Sequence, residues 1–140
     1  MCGCAKVGMH FTAATPKGYE PDAAVVKAAS EDAAKTGGSI EIFHDIYEAA
    51  KDADVLYTDV WASMGQEAEQ EARKKIFQSY QINQDLLQVA DKRAIVLHCL
   101  PAHRGEEITE EVLEANAHVI FDEAENRLHA QKAVLALTMG

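Results

Sequence analysis

The sequence predicts an α/β protein: a three-layer, doubly wound (Rossmann-like) and mostly parallel sheet of about 4–5 strands with helices on both faces. Two observations predict this class. Short apolar, strand-like runs alternate with longer segments of helical periodicity, and Gly, Pro or Asp residues separate them. The 140 residues also suffice for one domain with a core. Such alternation is typical of parallel strands joined by helical crossovers.

Five strands are predicted from apolar runs bounded by turn residues. They cover, in order, residues 7–14, 39–44, 55–58, 93–98 and 118–121. The fourth contains the run Ala94-Ile95-Val96-Leu97, which is typical of a buried strand. Its carboxyl end is therefore a place where polar side chains can meet a ligand.

The helices are predicted from caps and periodicity. Pro21 suits the first turn of a helix that Gly37-Gly38 ends, and Asp45 is expected to cap a short helix. Residues 66–82 are strongly helical because apolar side chains recur every four positions. Residues 83–90 add another helical turn or two.

Two further helices are predicted near the C-terminus. A short one begins at residues 106–109, with Thr109 as a candidate cap, and the final one runs from about Glu125 to residue 138. Residues 133–137 are apolar on every side, which requires burial all round. We therefore expect this end to pack against a surface outside the chain.

Composition restricts the partners. With 23 acidic against 13 basic side chains the formal charge is -10, so nucleic acid and anionic membranes are not expected to bind. No apolar run approaches the roughly 20 residues of a membrane span, and the first residues lack a signal-peptide pattern.

Three cysteines make no disulfide framework, and Cys2-Gly3-Cys4 lacks a second ligand pair for zinc. The expected location is the cytoplasm, or an organelle matrix if a transit peptide precedes the chain.

The segment His98–Gly105 places a thiol, two imidazoles and a guanidinium after the fourth strand. Cys99 is reactive only if cations such as Arg104 lower its pKa, and is otherwise an inert core thiol. Pro101 fixes the loop and can form a cis bond with Leu100. Both interpretations of Cys99 stay open from the residues alone.

Two more segments carry polar side chains. Asp59 ends the third strand and Ser63-Met64-Gly65 leads into a helix, so a carboxylate and helix N–H groups there would suit an amino acid. An Asp turn and a Ser cap explain the same residues without a ligand. Arg127 in the last helix can hold a phosphate or carbonyl oxygen, or pair with Glu123 on a solvated face.

Together, the segments DVWASMGQE, HCLPAHRG and FDEAENRLHAQK closely resemble the second, ornithine-binding domain of ornithine carbamoyltransferases, and ATPKGYEP agrees. The resemblance covers essentially the whole chain as one domain, 1–140, including the C-terminal helix. It implies carbamoyl transfer from carbamoyl phosphate to the δ-amino group of L-ornithine, giving citrulline and phosphate in arginine metabolism. No metal and no organic cofactor are implied. The SMG loop points to ornithine rather than aspartate.

The resemblance also implies the ornithine contacts. Asp59 would hold the α-amino group of ornithine, and Ser63 and Met64 would place its α-carboxylate and backbone. Cys99 would lie beside the reacting δ-amine, orient it and handle its proton.

The carbamoyl side of the site is implied in the same way. Cys99 and Leu100 would contact the carbamoyl group. Arg127 would contact carbamoyl phosphate and stabilise charge on its carbonyl oxygen. Cys99 and Arg127 are thus the residues expected to act in catalysis.

The chain departs from the family pattern at its beginning. The family's Ser-Thr-Arg-Thr-Arg loop and His-Pro-x-Gln segment do not occur, and the first strand of the second domain is missing. We therefore expect a fragment that is inactive alone, whose partners are the missing carbamoyl-phosphate domain and, in the complete enzyme, a homotrimer. The alternatives are a carbamoyltransferase for a related amine and a non-catalytic amino-acid-binding or interaction module.

Overall fold

The computed structural model describes residues 1–62 and 67–139, without the side chains of residues 67–69. The chain forms two compact units, Met1–Lys51 and Asp52–Gly140. Each unit contains a parallel pair of strands together with helices. The predicted α/β class with parallel strands is confirmed, and the strands pair two by two, one pair in each unit.

The first unit is built on strands β1 and β2, which run parallel with His10 opposite Ser39 and Ala14 opposite Phe43. Its elements are α1 (Cys2–Lys6), β1 (His10–Ala14), α2 (Ala23–Thr36), β2 (Ser39–Phe43) and α3 (Ile46–Ala50). The first strand begins three residues later than predicted because Val7 caps α1 and Gly8 turns the chain with a φ of 76°.

Local capping determines where α2 and α3 begin. The Asp22 carboxylate accepts hydrogen bonds from two N–H groups in the first turn of α2, so this helix starts after Asp22 rather than at Pro21. Gly37, with a φ of 84°, ends it as predicted. Asp45 caps α3 in the same way as Asp22 caps α2, which confirms the predicted cap.

The second unit is built on strands β3 and β4, which run parallel with Val55 opposite Ile95 and Thr58 opposite His98. Its elements are β3 (Val55–Thr58), α4 (Glu67–Phe77), a 3-10 turn (Gln78–Tyr80), α5 (Gln84–Leu87), β4 (Ile95–His98), α6 (Glu110–Ala115) and α7 (Ala117–Met139). Thr109 caps α6 by accepting from the Val112 N–H. Among the described residues of this unit, the largest fully buried side chains are Val96, His98, Glu107, Ile108, Val112 and Ile120.

The prediction of a fifth strand at residues 118–121 is wrong. These residues form the first turns of α7, which starts at Ala117 rather than near Glu125. The Asn116 carbonyl accepts from the N–H groups of Val119 and Ile120, and Ile120 is only 1 % exposed. β-branched residues lose at most about 0.7 kcal/mol each in a helix, so burying Ile120 outweighs the local preference for a strand.

Helix α7 exposes apolar side chains from its second turn to its C-terminal end. Phe121, Leu128 and Leu137 are 59 %, 67 % and 86 % exposed. Exposed apolar residues of this kind are typical of a surface that another surface covers, so the packing of this end against a partner stays a prediction. Among the described helices, α7 included, none has the length and apolar character needed to cross a bilayer.

Candidate functional site

The carboxyl ends of β3 and β4 bring Asp59 and Cys99 together. Thr58 lies opposite His98, so the next residue of each strand leaves the sheet at the same edge. Side chains alternate along a strand, which puts Tyr57 and Asp59 on one side. The Asp59 carboxylate and the Tyr57 hydroxyl lie close enough to the Cys99 thiol to shift its pKa. Two predicted site residues, 40 positions apart in sequence, therefore form one cluster.

The surroundings of Cys99 favour its protonated form. Burial raises the pKa of the Cys99 thiol and the Asp59 carboxylate raises it further, while the hydrogen bond from Tyr57 acts in the opposite direction. The candidate cation for lowering this pKa, Arg104, is engaged elsewhere. The Arg104 guanidinium lies 2.7 Å from a Glu114 oxygen. The structure thus favours a neutral thiol that donates and accepts hydrogen bonds over an activated thiolate.

Alkylation should show this protonation state directly. In a chain carrying Cys2→Ser and Cys4→Ser, the rate of Cys99 alkylation by iodoacetamide should rise at a higher pH than for a free cysteine, since the thiolate is the nucleophile. Adding Asp59→Asn should move this rise to lower pH, because it removes the carboxylate that raises the pKa. A midpoint below that of free cysteine would contradict the assignment.

Glu123 and Tyr57 belong to the same cluster, although the sequence motifs did not single them out as site residues. The Glu123 Oε2 accepts a hydrogen bond from the His98 N–H at 3.0 Å. Loss of water around the Tyr57 hydroxyl, with Cys99 and Glu123 beside it, raises the pKa of Tyr57. Strand alternation from Asp59 would have indicated Tyr57. The sequence did not indicate Glu123, because residues 118–121 are predicted to form a strand and the final helix is predicted to begin only after Glu123.

The loop that follows β4 is held by buried and partly buried hydrogen bonds. Leu100 and Pro101 are joined by a cis peptide bond, and Leu100 has a φ of 54°. The Leu100 N–H donates to His98 Nδ1 at 2.9 Å, and the other ring nitrogen of His98 lies 3.0 Å from Glu107 Oε1. Burial opposes ionisation of Glu107, but hydrogen bonds from His98 and the His103 backbone outweigh it and lower the pKa of Glu107.

The remaining predicted site residues lie apart from this cluster or outside the description. Arg127 is exposed on α7, four residues and hence one turn beyond Glu123. Within the described part of the chain no hydrogen bond or ion pair engages it, and the Glu123 oxygen is bonded to His98 instead. Ser63 and Met64 lie outside the described residues.

One group of side chains among residues 1–62 and 67–139 has the atoms to hold a metal ion. His103, Glu106 and Glu107 offer ligand atoms within 4.8 Å of one another. In this structure Lys74 Nζ lies 2.8 Å from a Glu106 oxygen, and His98 occupies one oxygen of Glu107. Each carboxylate of this group therefore already has a protein partner, while the second oxygen of Glu107, Oε2, is buried without a hydrogen-bond partner among the described residues.

An open cavity of about 390 Å³ lies beside the same loop. It is lined by Trp61, Lys74, Lys75, Gln78, Gln81, Gly105 and Glu106. None of the described site residues predicted from the sequence lines it. The geometry of the predicted site therefore rests on the strand ends rather than on this cavity.

Comparison with known proteins identifies relatives across the whole chain. Residues 1–138 match the family described as aspartate/ornithine carbamoyltransferase, Asp/Orn binding domain. The chain is 59 % identical over 135 residues to an ornithine carbamoyltransferase of Thermococcus kodakarensis, covering 96 % of this chain and 43 % of that protein. It is 61 % identical over 140 residues to one of Gloeobacter violaceus, covering 100 % of this chain and 45 % of that protein.

A solved structure agrees in fold as well as in sequence. The ornithine carbamoyltransferase from Pyrococcus furiosus superposes with a TM-score of 0.90 at 59 % identity, covering 97 % of this chain and 44 % of that one. The chain thus spans less than half the length of the relatives that it matches.

Proposed function

Because the chain belongs to the aspartate/ornithine carbamoyltransferase family and matches its amino-acid-binding domain, we propose that it supplies the ornithine side of an ornithine carbamoyltransferase site. One observation carries this proposal: the ends of β3 and β4 bring a carboxylate, Asp59, beside a thiol, Cys99, whose pKa is raised by burial and by that carboxylate. A carboxylate suits an ammonium group, and a neutral thiol suits an amine that must itself stay uncharged to attack.

In the proposed reaction the neutral δ-amine of ornithine attacks the carbonyl carbon of carbamoyl phosphate. A C–N bond forms, the C–O bond to phosphate breaks, and the proton that the amine loses ends on the departing phosphate, which gives citrulline and phosphate. Asp59 holds the α-amino group through a charge-assisted hydrogen bond. Cys99 orients the δ-amine, because its sulfur can accept from N–H and its S–H can donate.

The carbamoyl side of the proposal involves Leu100 and Arg127. Leu100 follows Cys99 directly and contacts the carbamoyl group beside it. Arg127 binds carbamoyl phosphate and stabilises charge on the carbonyl oxygen. Its exposed position one turn beyond Glu123 supports this role, since the guanidinium has no competing partner among the described residues. Ser63 and Met64 place the ornithine carboxylate and backbone.

The complete enzyme would need more than this chain. We propose that residues 1–140 act as one ornithine-binding domain, that a carbamoyl-phosphate domain complements it, and that the enzyme is a cytoplasmic homotrimer. The share of its relatives that the chain spans, below one half, supports the need for a second domain. A non-catalytic ornithine-binding module is the competing function, and binding without turnover by the complete protein would favour it.

Calorimetric titration with L-ornithine tests the proposal. The chain should bind ornithine, and Asp59→Asn should weaken binding about ten- to hundredfold, because a hydrogen bond to a charged group is lost. Asp54→Asn is the matched control, since Asp54 precedes β3 at the opposite end of the same strand, and should bind like the unmodified chain. Equal affinities for the Asp59 and Asp54 variants would refute the role of Asp59.

A further inference from the structure

His98 and Glu107 are the two buried polar side chains of the described residues, and each is 0 % exposed. Their side chains meet at 3.0 Å inside the second unit. Buried ionisable groups are costly unless hydrogen bonds satisfy them. We therefore expect this buried pair to stabilise the structure next to the proposed site.

The hydrogen bonds determine the tautomer of His98. The Leu100 N–H donates to Nδ1 at 2.9 Å, so Nδ1 must carry a lone pair and no proton. The ring proton is then on Nε2, which donates to Glu107 Oε1 at 3.0 Å. In this structure His98 is neutral and connects the backbone of Leu100 to the carboxylate of Glu107.

Glu107 closes the loop from the other side. The same oxygen, Oε1, also accepts from the His103 N–H at 2.6 Å. The next residue, Ile108, is 0 % exposed and accepts from the Gly105 N–H through its carbonyl. Cys99 and Leu100 are thus enclosed between His98 at the strand end and a carboxylate anchored in the core.

Leu100 is the residue that most needs such support. Its φ of 54° lies in the left-handed region, which a branched L side chain adopts only when contacts hold it there. The hydrogen bond from its N–H to His98 is such a contact. Losing it would free the peptide that joins Cys99 to Leu100.

We propose that His98 and Glu107 are positioning residues: through the Leu100 and His103 N–H groups they hold Cys99 and Leu100 at the end of β4. That the held groups face the δ-amine and the carbamoyl group rests on the proposed function. Neither His98 nor Glu107 touches a substrate in this scheme. Their effect is on the geometry of the two residues between them.

Two isosteric variants separate the two hydrogen bonds of His98. In His98→Asn the side-chain oxygen can replace Nδ1 and accept from Leu100, but it is too short to reach Glu107. In His98→Gln the amide nitrogen can replace Nε2 and donate to Glu107, but Leu100 loses its acceptor. Hydrogen exchange of the Leu100 and His103 amides is measured in the 140-residue chain, with the Val96 amide as the reference for global opening.

In His98→Gln the Leu100 amide should exchange about tenfold faster relative to Val96, and in His98→Asn it should stay protected. Ornithine affinity should fall in parallel, more in His98→Gln than in His98→Asn. If His98 had a purely structural role, both variants would instead speed hydrogen exchange of the Leu100 and Val96 amides equally. That result would overturn the proposal.

A measurement on the unmodified chain keeps the proposal testable if both variants fail to fold. Long-range ¹H–¹⁵N correlation spectra should show His98 protonated at Nε2 and unprotonated at Nδ1. The opposite tautomer would overturn the proposal. If the unmodified chain binds no ornithine, the proposed function fails, while the exchange and tautomer results still decide whether His98 holds Leu100.

Discussion

Purified alone, the 140-residue chain is expected to form no measurable citrulline from ornithine and carbamoyl phosphate. The described site presents groups for an amine, Asp59 and Cys99, on one edge of a sheet. The sequence has no Ser-Thr-Arg-Thr-Arg or His-Pro-x-Gln string that would hold the phosphate. Positioning of two reactants is worth about 7–11 kcal/mol, so losing one binding site should lower the rate by about 10⁵–10⁸-fold.

A colorimetric citrulline assay with both substrates at saturating concentration measures this rate. The ornithine carbamoyltransferase of Pyrococcus furiosus serves as the positive control, since it shares the fold at 59 % identity. Any measurable turnover by the purified chain would contradict the expectation. It would show that the edge formed by β3 and β4 suffices for both substrates.

Glu107→Ala should lower the free energy of unfolding of the second unit by about 3 kcal/mol. The substitution leaves two donors without an acceptor, the buried His98 ring N–H and the partly buried His103 backbone N–H, and each such loss costs about 1–3 kcal/mol. Glu107→Gln should cost less, because its remaining oxygen can accept from both donors. Urea unfolding measures these differences, with Glu111→Ala, an exposed residue of α6, as the control.

The same residue should make stability sensitive to acid. The pKa of Glu107 is lower in the folded chain than its usual value of 4.5, so its carboxylate stabilises the fold above pH 4.5. This contribution is lost as the pH falls through the lowered folded value. Below pH 4.5 the unmodified chain should therefore lose stability more steeply than Glu107→Gln. The free energy of unfolding of both chains is measured as a function of pH. If the two curves ran parallel below pH 4.5, this would argue against an ionised Glu107 in the folded chain.

Much of the fold could be predicted because the deciding signals are local. The Asp45 and Thr109 caps are confirmed, since a capping side chain bonds to N–H groups two or three residues away. β3 covers the four predicted residues, Val55–Thr58, because turn residues bound a short apolar run. The start of α7 was missed because burial of Ile120 against distant residues, rather than local propensity, decides it.

For the candidate site too, some features could be predicted from the sequence and others could not. Asp59 and Cys99 could be predicted to meet because both follow parallel strands, whose carboxyl ends share an edge. The buried bond between His98 and Glu107 could not, since it depends on how the intervening loop folds back. The sequence predicts Glu107 at the start of a short helix, whereas that helix starts only at Glu110.

The exposed part of α7 has a consequence for Arg127. Beyond Glu123, residues 124–139 contain no buried side chain, so about 24 Å of helix is held mainly by its own backbone hydrogen bonds. Helices of this length are near the limit at which they persist in water. We therefore expect a helix–coil equilibrium of this segment to influence where Arg127 lies. A surface that covers the apolar side chains of α7 would shift that equilibrium toward the helix. It would thereby also fix the position of the Arg127 guanidinium.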